Sequence, residues 1–236
     1  MDYYRRVHHY ESFIRRIEKD RDDGTFCDLE IDCGERRFRA HRNVVCLRSP
    51  VIRAAFLRKW KKEPACAVFE IKQASHVLVR RMIDYIYTGD YEDFDSSILV
   101  QKNHLSTQDV AVFDNDIADY LTLHTKMMEL GDMYMVEGLS QLTIEKLAEH
   151  LESQTARDIL VTIVPEVYAL KTNSSDKIRK VVIDCIRRKM LLLPLADDVG
   201  ESLEDVAKNV PEFTCELLKS SLKALMLSDN EAVNAW

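Results

Sequence analysis

Glycine and proline are scarce in this chain, with 6 and 5 residues among 236. So little glycine leaves no phosphate-cradling loop and no dinucleotide fingerprint, and neither a G-x-S-x-G elbow nor an H-E-x-x-H helix occurs. The seven histidines are dispersed, and His8-His9 lies in a basic amphipathic stretch, where a surface position is the simplest reading. With no motif for a nucleophile, a metal or a cofactor, the chain is expected not to be an enzyme. No catalytic, cofactor-binding or metal residue is assigned. The six cysteines (Cys27, Cys33, Cys46, Cys66, Cys185 and Cys215) include no C-x-x-C pair and mostly lie on apolar stripes. That pattern predicts reduced thiols acting as small hydrophobes, in place of disulfides or a zinc site. No apolar run reaches the about 18 residues of a membrane span, and Met1 to Arg6 lacks the apolar core of a signal peptide. The expectation is an intracellular protein, cytoplasmic or nuclear, with no membrane partner. Acids outnumber bases, and a net charge of −7 with a pI near 5.6 works against non-specific nucleic-acid binding, which needs a basic surface.

What is present is apolar and periodic. A hydrophobic content of 46% predicts an ordered, largely helical chain with a real core. Leu29, Ile31 and Cys33 alternate with Asp28, Glu30 and Asp32, which predicts a strand with one apolar face. Gly34-Glu35 suits a tight turn, and Phe38 and Ala40 continue the apolar face on a returning strand. Val44, Val45 and Leu47 start a short helix. Ser49-Pro50 supplies an N-cap and an N1 proline for the next, which carries Val51, Ile52, Ala55, Phe56 and Trp60. A further strand is read at Ala67, Phe69 and Ile71, then a helix capped by Ser75 with Val79, Met82, Ile83 and Ile86 inward.

Before the first strand, Tyr3, Val7, Tyr10, Ile14 and Ile17 recur at helical spacing among Arg5, Arg6, Arg15, Arg16 and Lys19, predicting an amphipathic helix. Residues 92–116 read as a polar surface insertion. Helical periodicity returns at Ile117 to Leu130 and at Leu142 to Leu151, two helices joined near Gly131 to Gly138, their methionines filling the core. Beyond Glu152, helical spacing is predicted from Thr155 to Leu170, with Pro165 kinking the helix or separating two short ones, and around Ile178 to Met190. A short one capped by Ser202 with Asp205 follows, and a last one opens at Pro211 and carries Phe213, Leu217, Leu218, Leu222 and Leu225.

The order Asp28-Leu29-Glu30-Ile31, Phe38-Arg39-Ala40-His41-Arg42-Asn43-Val44-Val45, Ser49-Pro50-Val51-Ile52, Val68-Phe69-Glu70-Ile71 and Met82 to Tyr91 resembles the BTB/POZ domain. The layout with a long helical remainder is similar to the stand-alone BTB proteins of filamentous fungi. The resemblance covers about Asp28 to Leu151 and implies an α+β fold, a small β-sheet flanked by a cluster of helices, followed by a helical C-terminal extension. The expected division is an N-terminal helix and turn over 1–25, a BTB/POZ domain over 26–151 and the extension over 152–236. No Kelch, zinc-finger or MATH sequence is present in this chain.

That resemblance also implies candidate sites. In dimeric BTB proteins a helix before the first strand packs on the partner chain, which makes Tyr10, Ile14 and Ile17 candidate interface residues. An acid at the start of the first strand and a base after the histidine form a charged pocket near such an interface, and Asp28 and Arg42 match. A structural aspartate with a solvated arginine stands beside that reading. His41 reads as a half-buried histidine with hydrogen-bonded ring nitrogens. Adaptors of cullin-3 ligases carry a hydrophobic residue, any residue, then glutamate after the position of Phe56. Here Trp60 is followed by Lys62 where the acid belongs, with Glu63 one place late. Phe56, Trp60, Lys62 and Glu63 are therefore the candidate partner or cullin contacts. The expected function is a protein–protein interaction module that forms a homodimer. The alternative is a substrate-recruiting adaptor of a cullin-3 ubiquitin ligase.

Overall fold

The computed structural model describes residues 2–34, 36–57, 66–72, 74–93, 117–169, 175–192 and 197–233. Strand β1 (Leu29–Asp32) buries Leu29 and Ile31 completely, as their alternation requires. It pairs antiparallel with β2 (Arg37–Ala40), Leu29 opposite Ala40 and Ile31 opposite Phe38. At the turn Gly34 has a φ of 83°, and the Cys33 N–H donates to the Arg36 carbonyl at 3.1 Å. The other edge of β1 pairs in parallel with β3 (Ala67–Glu70), Leu29 opposite Ala67, so the sheet order is β2-β1-β3.

Parallel neighbours need a crossover, and helices α2 (Arg42–Arg48) and α3 (Pro50–Leu57) lie within it. Between them Ser49 is fully buried and caps α3 as its sequence predicts, its Oγ accepting the Ile52 N–H at 3.2 Å. The same hydroxyl donates to the Tyr134 carbonyl at 2.6 Å. Helix α4 (His76–Thr88) buries Val79, Met82, Ile83 and Ile86 along with Tyr85 and Tyr87. Ser75 stands at its N-cap in extended backbone but makes no side-chain bond there, a departure from the cap expected of it. Helix α1 (Asp2–Asp22) packs against α4 and β2.

The predicted helix pair is α5 (Ile117–Tyr134) and α6 (Leu139–Ser153). The bend falls after Tyr134, within the stretch from Gly131 to Gly138. Gly131 lies inside α5, where a Cβ would stand 3.3 Å from Leu139, so its lack of a side chain lets α6 start close by. Gly138 supplies the turn, with a φ of 81° and the Tyr85 hydroxyl 2.5 Å from where a Cβ would sit.

The chain divides into two units, Met1–Ala111 with Lys126–Leu142, and Val112–Thr125 with Thr143–Trp236. In the second, a helical run α7 over 156–169 opens at Thr155, whose side chain accepts the Asp158 N–H. Pro165 does not divide it. A π-helical stretch, Ile159–Ile163, precedes the proline, and the Val164 N–H reaches back to the Ile159 carbonyl. This wider register accommodates a residue that has no N–H to give. Helices α8 (Ser175–Leu192), α9 (Asp197–Asn209) and α10 (Pro211–Val233) follow. Tyr168 on α7 stands edge-on to Phe213 on α10 and donates to Glu216 at 2.5 Å. Ser202 is buried within α9 and does not start a helix. On α10, Phe213 and Leu217 are buried, whereas Leu218, Leu222 and Leu225, read with them as one apolar set, are exposed.

Candidate protein interaction site

The anchor of α1 is a residue that sequence reading passed over. Arg21, at 8% exposure, places Nη1 2.9 Å from Asp84 of α4, bonds Asp22 at 3.0 Å and holds its guanidinium carbon 4.8 Å from the centre of the Tyr87 ring. Burial opposes its charge, but Asp84, Asp22 and Glu18 outweigh that and raise its pKa above the ordinary arginine value. Four residues after Ile17, Arg21 continues the apolar stripe of α1 and not the face of Arg15, Arg16 and Lys19.

From Arg21 towards the N-terminus the same stripe rises out of the protein. Ile17 and Ile14 are half-buried, Tyr10 is 62% exposed and Phe13 is 55% exposed. The helix is thus held firmly at its C-terminal end and presents aromatic rings to solvent at its other end.

Asp28 and Arg42 lie together within the chain. Arg42 Nε lies 3.4 Å from the Asp28 carboxylate, and the Arg42 N–H donates to Asp28 Oδ1 at 2.7 Å. His41, the residue before α2, provides no side-chain cap, so Asp28 serves that helix end from another element. His41 is half-buried with both ring nitrogens engaged, Nδ1 with the Tyr87 hydroxyl at 2.9 Å and Nε2 with the Thr25 carbonyl at 3.0 Å. Cys27 Sγ stands 3.9 Å from His41 Nε2, and burial pushes its thiol pKa up.

The second candidate set changes. Phe56 is 5% exposed and packs near Phe69, with ring centres 6.1 Å apart, so it belongs to the core and offers no surface contact. Its place on the apolar face of α3 explains this. Trp60, Lys62 and Glu63, like residues 94–116 of the 92–116 insertion, lie outside the described residues. A different apolar group appears nearby. The Glu137 N–H donates to the Arg48 carbonyl at 3.3 Å and Ser49 bonds Tyr134, which brings the end of α2 against the α5–α6 turn. Flanking these bonds, Leu47, Met133 and Met135 are 76%, 49% and 62% exposed. Met127 and Met128 do fill the core, but no local pattern marks the next two methionines as exposed. Among the described residues no group of three or more potential metal ligands is assembled, and no helix is long and apolar enough to cross a membrane.

Residues 17–112 match the family model of the BTB/POZ domain. Kelch-like protein 38 of Homo sapiens is 25% identical over 163 residues, 66% of this chain and 26% of the relative. Kelch-like protein 36 of Bos taurus is 28% identical over 87 residues, 37% of this chain and 14% of the relative. The chain thus spans about a quarter or less of the length of these curated relatives. Among solved structures, the BTB domain of zebrafish PATZ1 is 17% identical, with a TM-score of 0.43, covering 60% of this chain and 92% of that one. The BTB domain of human Gigaxonin is 19% identical, with a TM-score of 0.39, covering 59% and 91%.

Proposed function

Because residues 17–112 are a BTB/POZ domain, a protein–protein interaction domain, we propose that the chain is a non-enzymatic interaction module that self-associates through α1. The observation that carries this is the exposure of Tyr10 and Phe13 on a 21-residue helix fixed to the body of its unit by Arg21. Aromatic rings held out on a rigid helix lose little conformational freedom on burial, and a symmetric partner covers both copies with one kind of contact. The Asp28–Arg42 pair lies within the same unit, at the start of β1 and of α2, where the resemblance puts a charged pocket. The place of action that goes with this reading is intracellular.

Light scattering tests it. Tyr10→Ser with Phe13→Ser removes the rings from exposed positions, so the fold is kept and the mass in solution falls to that of one chain. A mass equal to that of the unchanged protein rejects α1 as the interface.

Recruitment of a substrate to a cullin-3 ligase is the second reading, favoured by the exposed Leu47, Met133 and Met135 beside the α2–α3 junction. The lysine at position 62, where cullin adaptors carry an acid, speaks against it. Calorimetric titration with the N-terminal region of cullin-3 decides: sub-micromolar binding supports the adaptor, and no heat at two temperatures removes it.

A further inference from the structure

The outward faces of α1 and α9 carry complementary orders of charge. On α1, Glu11, Arg15, Arg16 and Lys19 are all exposed, and among the described residues the three bases enter no ion pair. They lie across the helix from the stripe of Tyr10, Ile14, Ile17 and Arg21. On α9, Ser202 and Val206 face inward and Glu201, Glu204, Asp205 and Lys208 are exposed, with Lys208 to Asp205 at 3.7 Å their one ion pair among the described residues. Read along the chain, α1 runs acid, base, base, base and α9 runs acid, acid, acid, base. The spans agree as well, about 12 Å from Glu11 to Lys19 and about 10 Å from Glu201 to Lys208 at the α-helical rise.

We propose that α1 of one copy binds α9 of a second copy side by side and antiparallel, joining Lys19 to Glu201, Arg16 to Asp205, Arg15 to Glu204 and Glu11 to Lys208. Every charge then meets its opposite, and the base on α9 falls on the one acid of the α1 face. A lipid surface fits less well, because an interfacial helix needs a free apolar face beside its basic one, and here that stripe lies opposite and is half-buried at Ile14 and Ile17. A long polyanion fits less well too, with Glu11 in the row and a net charge of −7 on the chain. Exposed ion pairs are individually weak and screened, so the contact needs several acting together and forms at low ionic strength. Each copy offers both an α1 and an α9 face, so each copy can give and receive the contact. It does not rest on the apolar self-association through Tyr10 and Phe13, which persists at high salt.

Sedimentation velocity on the full chain tests this in about 10 mM and about 1 M salt, where the screening lengths are roughly 30 Å and 3 Å. The expected result is a weight-average mass at least doubled at low salt. Reversal of α1 (Arg15→Glu, Arg16→Glu, Lys19→Glu) or of α9 (Glu201→Lys, Glu204→Lys, Asp205→Lys) abolishes the increase, and an equimolar mixture of the two variants regains it. All six positions are exposed, and circular dichroism checks that both variants fold. A wild-type mass independent of salt overturns the proposal, as does a variant that keeps the increase or a mixture that fails to restore it. The mass at high salt separately reports the apolar dimer.

Discussion

Tyr87 holds His41 twice: its phenol oxygen accepts the His41 backbone N–H at 2.7 Å, and its hydroxyl donates to His41 Nδ1 at 2.9 Å. With Nδ1 accepting, Nε2 carries the proton and donates to the Thr25 carbonyl. The three residues belong to α4, to the β2–α2 junction and to the turn after α1, so one phenol ties together three segments distant in sequence. Tyr87→Phe leaves a half-buried N–H and a ring nitrogen without that partner. The expected loss is about 1–3 kcal/mol in urea denaturation with an unchanged slope, and a loss below about 0.5 kcal/mol means that water takes over both bonds.

The same phenol predicts the alkaline limit. Burial, ahead of every other influence, pushes the Tyr87 pKa from 10.0 to about 12. The folded state therefore holds this proton more tightly than the unfolded one. Its contribution to stability is complete below pH 10, and it declines as the pH rises towards about 12, because the unfolded chain ionises first. The melting temperature is expected to fall across that window, and less steeply in Tyr87→Phe. Parallel slopes in the two proteins count against it.

Gly138→Ala places a Cβ against the Tyr85 hydroxyl, which donates to the neighbouring Glu137 carbonyl at 2.8 Å, and does so at a positive φ. The backbone alone costs about 1–2 kcal/mol. Tyr85→Phe removes the oxygen in the way. The two changes together are expected to cost less than the sum of the single losses, and strict additivity refutes the clash.

Arg21→Met keeps the length of the side chain and deletes its charge, leaving Asp84 without this partner. Breaking a buried pair costs about 3–5 kcal/mol, and the partial exposure of Asp84, 29%, points to the lower end. Hydrogen exchange should show α1 protected less than α4 in the variant. Equal protection of the two helices in the variant means that the apolar contacts of α1 suffice.

Where one chemical requirement dominated, local sequence foretold the structure. Strict alternation at Leu29 and Ile31 fixed the face of β1, and serine before proline fixed the start of α3. His41 was readable because an imidazole between apolar neighbours needs partners on both nitrogens. Other positions depended on elements far along the chain. Arg21 shares the stripe of Ile14 and Ile17, across the helix from Arg15 and Arg16, but only Asp84 on α4 makes it a buried anchor. Phe56 lies on the apolar face of α3, and the likeness to cullin adaptors drew it outward in the reading when the core claims it. Ser202 obeyed a capping pattern inside a longer helix, since such patterns permit a start without enforcing one. The last helix had apolar residues enough for a wide face, but the unit fills with Phe213 and Leu217 and leaves Leu218 and Leu222 in water.

The central strand β1 acquires its two neighbours on different terms. Its partner β2 follows after a tight turn, and a chain only 40 residues long already contains both halves of the hairpin. The partner on the other edge begins at Ala67, after α2 and α3 have crossed over, and its parallel ladder pays the closure entropy of that whole excursion. A nascent chain leaving the ribosome therefore carries one side of β1 bare while the crossover is made. The backbone groups along β1 are first paired by a neighbour close in sequence, and only later, on the other edge, by one that has travelled.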